Sequence, residues 1–277
     1  MKENPTAVVI SNAPTPERGL EDLLNQLSFW EQLDALRQKA DKAPSDVRVF
    51  IKPDMEFYEL DSPTGTDPAL VEHLIDLLAE RNYTSVLIGD SVNDADHWLE
   101  NRDILILADL AGYRFTTKNG NDYEVVNLSE NLIGPPAEKE WTLPDRKLSA
   151  DWLEADVRIS FAKNKTHEEF GYALGLYNLI GVFPKRAKSY HYFYRLSAPA
   201  LITELLSLTP VHFNLIDAWA SNHGSQGIRH RKVYDTRTLI GSNDAVLADW
   251  VAALKMGSDP SISPVNNHVL KQRGLPA

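Results

Sequence analysis

The chain has 277 residues, 28 of them Lys or Arg and 39 Asp or Glu, for a net charge of −11, and 43% are hydrophobic. That length and composition suit a globular fold with its own core, and the acidic balance argues against nucleic acid or anionic lipid as a principal partner. With no Cys, disulfides, thiolate zinc sites, thiol nucleophiles and an iron–sulfur cluster ligated by this chain are excluded. The opening MKENPTAVV lacks the apolar core of a signal peptide, and the longest uncharged stretch, 170–183, is too short to span a bilayer. The expectation is a soluble cytoplasmic protein without membrane contact.

Short β-branched runs alternate with longer segments at helical spacing, the pattern of crossover units on a mostly parallel sheet. The predicted fold is a single α/β domain over 1–277, with helices on both faces of the sheet. A first helix is predicted over 20–39, its stripe formed by Leu23, Leu24, Leu27, Trp30, Leu33 and Leu36. A strand follows at 47–51. Asp67-Pro68 then opens a helix whose buried face carries Leu70, Val71, Leu74, Ile75, Leu77 and Leu78. A strand at 85–88 and a helix over 98–111 come next, although 104–107 alone could pass for a strand.

From 113 to 152 the pattern changes. Asn119-Gly120 favours a hairpin, and the prolines beyond Gly134 suggest irregular backbone, so this stretch reads as an inserted β-hairpin or lid. The parallel pattern resumes with a strand at 157–162, helices over 167–180 and 198–208, strands at 211–216 and 238–240, and a helix over 244–256 stopped by Gly257.

Open α/β sheets bind ligands outside the carboxyl ends of their parallel strands. The residues at those ends are Lys52, then Gly89-Asp90-Ser91, then Lys163-Asn164-Lys165-Thr166-His167, then Asp217. Thr166 and Glu169 have capping-box spacing, which predicts Thr166 as an N-cap and His167 as the first helical residue. Lys163, Lys165 and His167 would then surround a helix N-terminus suited to an anion. The alternative is a solvated basic turn offsetting Glu168 and Glu169. Thr66, at the start of the helix opened by Asp67, is a weaker anion contact of the same kind, with simple capping as its alternative.

Of eight histidines, His167, His191 and His223 fall in segments that approach this rim. Imidazoles with Asp90 or Asp217 could hold a divalent ion, although no local metal spacing supports it. Gly89-Asp90-Ser91 also suggests a nucleophilic Ser91, with Asp94 and His97 close by in sequence. That spacing does not match a lipase-like triad, whose Asp and His come from the far end of the chain. No Gly-x-Gly-x-x-Gly follows a strand, so dinucleotide binding has no support.

One succession of motifs is more specific than its parts: Ile51-Lys52-Pro53-Asp54, Thr66-Asp67-Pro68, Ile88-Gly89-Asp90-Ser91, Lys163-x-Lys165-Thr166-His167, Tyr177-Asn178-Leu179-Ile180-Gly181 with Lys188 and His191, Ile216-Asp217, and Ser242-Asn243-Asp244 with Asp249 and Met256-Gly257. It resembles the family called domain of unknown function 362, over roughly 47–260. The resemblance implies a single α/β domain, often joined to a ferredoxin-like iron–sulfur module that this Cys-free chain lacks. It also marks Lys52, Lys163, Lys165, His167, His191, Asp217 and Asp244 as site candidates. Asp54 stands where the family commonly has Asn, Tyr177 where it commonly has Lys, and Asn222-His223-Gly224 where an acidic residue usually precedes the glycine.

The leading expectation is an enzyme acting on a small carboxylate or phosphate. Its anion contacts are Lys52, Thr66, Lys163, Lys165 and Thr166, its catalytic groups His167, His191 and Asp217, and its candidate ligands for a divalent metal Asp90, His223 and Asp244. The alternatives are a non-catalytic anion-binding protein, an accessory protein docking to a separate redox partner, and a serine esterase using Ser91. Reaction, substrate, metal and oligomeric state are not legible in one sequence.

Overall fold

A computed structural model describes residues 7–55, 64–93, 103–134, 147–225 and 229–275. In chain order these form β1 (Val8–Ser11), α1 (Pro16–Gln26), α2 (Phe29–Ala40), β2 (Val49–Pro53), α3 (Pro68–Ala79), β3 (Val86–Asp90), α4 (Ile104–Ala111), β4 (Glu124–Asn127), β5 (Leu132–Ile133), β6 (Leu148–Ser149) and α5 (Ala150–Leu153). The second half supplies β7 (Val157–His167), β8 (Gly171–Ala173), α6 (Gly175–Asn178), α7 (Ala198–Leu208), β9 (Phe213–Ser225), β10 (Arg229–Ser242), α8 (Ala245–Lys255) and α9 (Pro264–Gln272). A 3-10 turn at Leu179–Val182 and a π-helical turn at Ser189–Tyr194 lie between α6 and α7.

The central sheet runs in the order β1-β10-β9-β7-β2-β3-β4, with β8 paired to β7. β2 is parallel to both β3 and β7, β3 to β4, and β7 to β9. β1, β10 and β8 pair antiparallel. Both faces are covered. Val49 and Ile51 of β2 pack into one apolar cluster with α1, α3 and α4, while Phe50 between them packs into another with Trp152, α7 and α9. A strand buried on both sides therefore reads as a continuous apolar run, as Val49-Phe50-Ile51 does.

Local chemistry sets the helix starts. Asp67 accepts the N–H of Ala69 at 2.9 Å, with Pro68 in the first turn of α3, and Asp244 accepts that of Val246 at 2.9 Å to begin α8. The helix predicted over 20–39 is two helices, broken at Leu27-Ser28, where Ser28 takes φ +51°. That backbone turns α2 onto Phe213 through Phe29, whose ring centroid is 4.3 Å away.

Two larger differences bear on function. The helix predicted over 167–180 does not form: β7 continues through His167 and turns back as β8, leaving only the short α6. Thr166 is therefore not an N-cap. Its hydroxyl accepts the N–H of Gly224 at 2.9 Å and donates to the Gly224 carbonyl at 2.8 Å, joining β7 to β9. The expected helix-terminal anion site is absent with it. The stretch 113–152 is also not wholly an insertion, because Glu124–Asn127 is the edge strand β4 of the central sheet. The predicted hairpin survives as a bridge between Thr116 and Asp122. It is tied to α3 because Asn119 and Asn121 each donate to Asp76 at 2.8 Å. Asp94, His97, the first residues of the helix predicted over 98–111, and 135–146 lie outside the described residues. Among the described residues no helix is long and apolar enough to cross a membrane.

Candidate functional site

Because side chains alternate along an extended strand, Lys163, Lys165 and His167 fall on one face of β7 and Asn164 and Thr166 on the other. The first set meets carboxylates of the neighbouring strands β9 and β2, although Asp217 lies within β9, which continues to Ser225, and not at the strand end expected from sequence. Lys163 Nζ lies 2.8 Å from Asp217 Oδ2 of β9, and Lys165 Nζ lies 2.9 Å from Asp54 Oδ2, just beyond β2. These counterions explain why the segment stays extended. One strand over, Lys52 Nζ donates to Asp90 Oδ2 at 2.7 Å, to Asn178 Oδ1 at 2.9 Å and to the Pro53 carbonyl at 2.8 Å, which uses all three of its protons. Lys188, reaching in from the turn before α7, contacts the Ser91 hydroxyl and the Phe183 carbonyl. All four lysines are buried.

Three depressions surround this network. A cleft of about 260 Å³ is lined by Lys52, Lys188, Ser91, His167, Tyr177 and Asn178, with Glu168 and Glu169 exposed at its mouth. A pocket of about 210 Å³ lies on the other side of Asp54, which lines both, and contains Thr66, Lys163 and Asp217. A groove of about 460 Å³, lined by Asn164, Thr166 and His223, follows the opposite parity of β7.

His167 is not a cation. Burial, with the Lys165 charge beside it, pushes its pKa down to about 4. Its Nδ1 accepts the N–H groups of Glu169 at 3.1 Å and Phe170 at 3.3 Å. The proton of the neutral ring therefore sits on Nε2, 3.1 Å from Tyr177 Oη. Its oxygen accepts that bond, and the Tyr177 phenol lines the cleft. The rings of Phe170 and Phe193 pack against Tyr177 and fix it.

The candidates read from sequence are thus divided. Lys52, Lys165, His167 and Asp90 converge on the cleft or directly behind it. Lys163, Thr66 and Asp217 belong to the adjacent pocket, where Thr66 donates to the Phe161 carbonyl at 2.5 Å and accepts the Asp54 N–H at 2.9 Å. His191 lines neither and packs between Tyr190 and Tyr192. His167, His191 and Asp217 do not form one catalytic group. The metal-ligand candidates are dispersed as well: Asp90 is held by Lys52, His223 is exposed beside Tyr234, and Asp244 caps α8 and pairs with Arg273. Among the described residues no three His, Asp or Glu side chains cluster in a way that could hold a metal ion.

Ser91 lacks the surroundings of an esterase nucleophile. Its hydroxyl donates to the Phe183 carbonyl at 2.9 Å, and the N–H groups of Ser91 and Val92 are taken by Asp90 Oδ1 and Ser129 Oγ. Those amides cannot serve an oxyanion in this conformation. Sequence reasoning passed over Tyr177, Lys188 and Asp54 as site residues. Asp54 carried the same strand-end signal as Lys52, whereas Lys188 has no local pattern to mark it.

A family model described as a domain of unknown function (DUF362) matches residues 49–254, most of the chain and every residue of the cleft discussed above. No curated protein matches it.

Proposed function

For this chain, which belongs to the DUF362 family, we propose an enzyme that binds a small carboxylate or phosphate in the lysine-lined cleft and moves a proton on it. One observation carries the reading: the ammonium groups of Lys52 and Lys188 and the His167–Tyr177 pair share a single small cleft. Buried ammonium groups attract an anion far more strongly than exposed ones, because little water screens them. Lys52 acts through its field, its protons being engaged within the protein, while Lys188 supplies the second ammonium group on the cleft wall.

Tyr177 is the proton-handling group of this reading and His167 its positioning residue. The imidazole stays neutral at pH 7, so its Nε2–H steadies charge that develops on the phenol oxygen when the Tyr177 proton is given up. This replaces the imidazole itself as general acid or base, the role expected from an unperturbed histidine. Neither His191 nor Asp217 takes part, and no step is assigned to a metal.

The test is a thermal-shift screen of acetate, malonate, malate, inorganic phosphate and phosphoglycolate against the full chain and its Lys188→Met variant. Each anion that binds is then followed by proton NMR in deuterated buffer for exchange or turnover. A melting-temperature rise that is lost in Lys188→Met, with exchange lost in Tyr177→Phe, is expected. If no anion shifts the melting temperature, the reading fails. Binding without any chemistry would overturn the enzymatic part and leave the anion-binding protein, with or without a separate redox partner.

A further inference from the structure

The pocket beyond Asp54 has a different chemistry from the lysine cleft. Three carboxylates, Asp54, Asp67 and Asp217, line it together with Tyr113, Trp219 and Leu107. Lys165 and Lys163 pair with Asp54 and Asp217. Asp67, half-buried, has no ion pair among the described residues, and its Oδ1 accepts the Ala69 N–H at 2.9 Å. The Asp67 carboxyl is pushed above its usual range by burial and by the negative charge of Asp217. A cation placed beside it would relieve both.

A second observation points to the same space. The Tyr113 hydroxyl is completely buried and has no hydrogen-bond partner among the described residues. Tyr113 lines the pocket together with Asp54, Asp67 and Asp217. A buried hydroxyl without a partner costs about 1–3 kcal/mol, which a ligand N–H would recover. The carboxylates do not cluster with other ligands around one metal-sized point. The remaining wall, including Leu107, Pro68, Met55 and the half-buried Trp219, is apolar or aromatic.

We infer that this pocket binds an organic ammonium group carried on an apolar body about the size of one ring. The ammonium donates to Asp67 Oδ2 and to Tyr113 Oη, and the body rests against Trp219 and Leu107, where an indole face also favours a cation. The site is independent of the anion cleft, although Asp54 borders both.

Titration calorimetry of the full chain with benzylammonium chloride tests it, with benzyl alcohol and benzoate as probes of the same shape. Asn caps a helix as well as Asp does, so Asp67→Asn removes the charge and keeps α3. Benzylammonium is expected to bind the unaltered protein, to bind Asp67→Asn at least about tenfold more weakly, and to bind Tyr113→Phe more weakly too. The two uncharged or anionic probes should give no heat. Benzyl alcohol binding as tightly as benzylammonium would overturn the inference, as would unchanged benzylammonium affinity in both variants. Should Asp67→Asn fail to fold, Tyr113→Phe, which removes only a hydroxyl without a partner, decides alone. Lys188→Met reports the anion cleft and not this pocket, so either reading can fail without the other.

Discussion

Lys52 and Asp90, at the ends of adjacent parallel strands, form an ion pair of 2.7 Å in which both side chains are almost fully excluded from solvent. Asp90 also accepts the N–H groups of Met55 at 3.1 Å and Ser91 at 2.8 Å. The pair thereby anchors the chain on leaving both strands. Such a pair costs desolvation to form, but removing one partner leaves the other charge buried and uncompensated. Lys52→Met and Asp90→Asn should each destabilise the protein by about 3–5 kcal/mol, and the double variant by much less than the sum. Urea unfolding of the four proteins measures the coupling. Additive losses would show that the pair does not act as a unit.

Gly181 has no room for a side chain. A Cβ there would sit 2.6 Å from Lys52 Nζ and closer still to Asp90 Oδ1. Since φ of Gly181 is not left-handed, the constraint is space and not backbone freedom. Gly181→Ala should separate the ion pair and lower stability by about 1–3 kcal/mol. Its combination with Lys52→Met should cost less than the sum of the two, because the ammonium that the new methyl group crowds is already gone. Additive losses would place the clash elsewhere.

Buried groups give this protein two opposed pH trends. Asp249, buried and accepting the N–H groups of Gly175 at 2.8 Å and Leu176 at 3.0 Å, is pushed up to about 7 by burial. Between roughly pH 4 and 7 the folded state keeps a proton that the unfolded chain has released, so this contribution to stability falls as pH rises and is flat above 7. His167 and His212, each pushed down to about 4 chiefly by burial, do the reverse: their contribution is present above about 6.5 and is lost as pH falls toward 4. Relative to the unaltered protein, Asp249→Asn should therefore gain stability as pH rises from 4 to 7. His212→Gln should gain as pH falls through 6.5 to 4. Each swing is about 3–4 kcal/mol. Parallel stability curves for all three proteins, from denaturant melts at half-unit steps, would contradict both assignments.

A fluorophosphonate probe should not label Ser91. The hydroxyl is buried and bonded to the Phe183 carbonyl, and the neighbouring amides are occupied. Intact-mass spectrometry after incubation reads the result directly. A covalent adduct that disappears in Ser91→Ala would mean that Lys188, the amine beside that hydroxyl, activates it.

Much of the architecture could be read from short-range pattern, because apolar periodicity and capping chemistry are local. Asp67-Pro68 opening a helix and a strand ending in Val49-Phe50-Ile51 needed no tertiary information. The residues at the ends of β2 and β3 and along β7 and β9 were likewise visible as a set of charges. Where local signals tied, the partner decided. Thr166 and Glu169 have the spacing of a capping box, yet Lys163 and Lys165 alternate at strand period, and Asp217 and Asp54 on neighbouring strands select the extended form. No property of 163–167 alone contains those aspartates.

Sequence by itself determined the alternation of strands and helices over most of the chain, the Asp67 cap of α3 and which charges gather near one edge of the sheet, since each depends on neighbours within a few positions. Only the tertiary structure decided how those charges pair and what state they adopt. It split Lys52 and Asp217 between two cavities, made His167 neutral by burying it beside Lys165, and brought Tyr177 and Lys188 to a cleft they are far from in sequence. The reason is physical: pairing and desolvation depend on distances through space, and those are set by strand order, not by spacing along the chain.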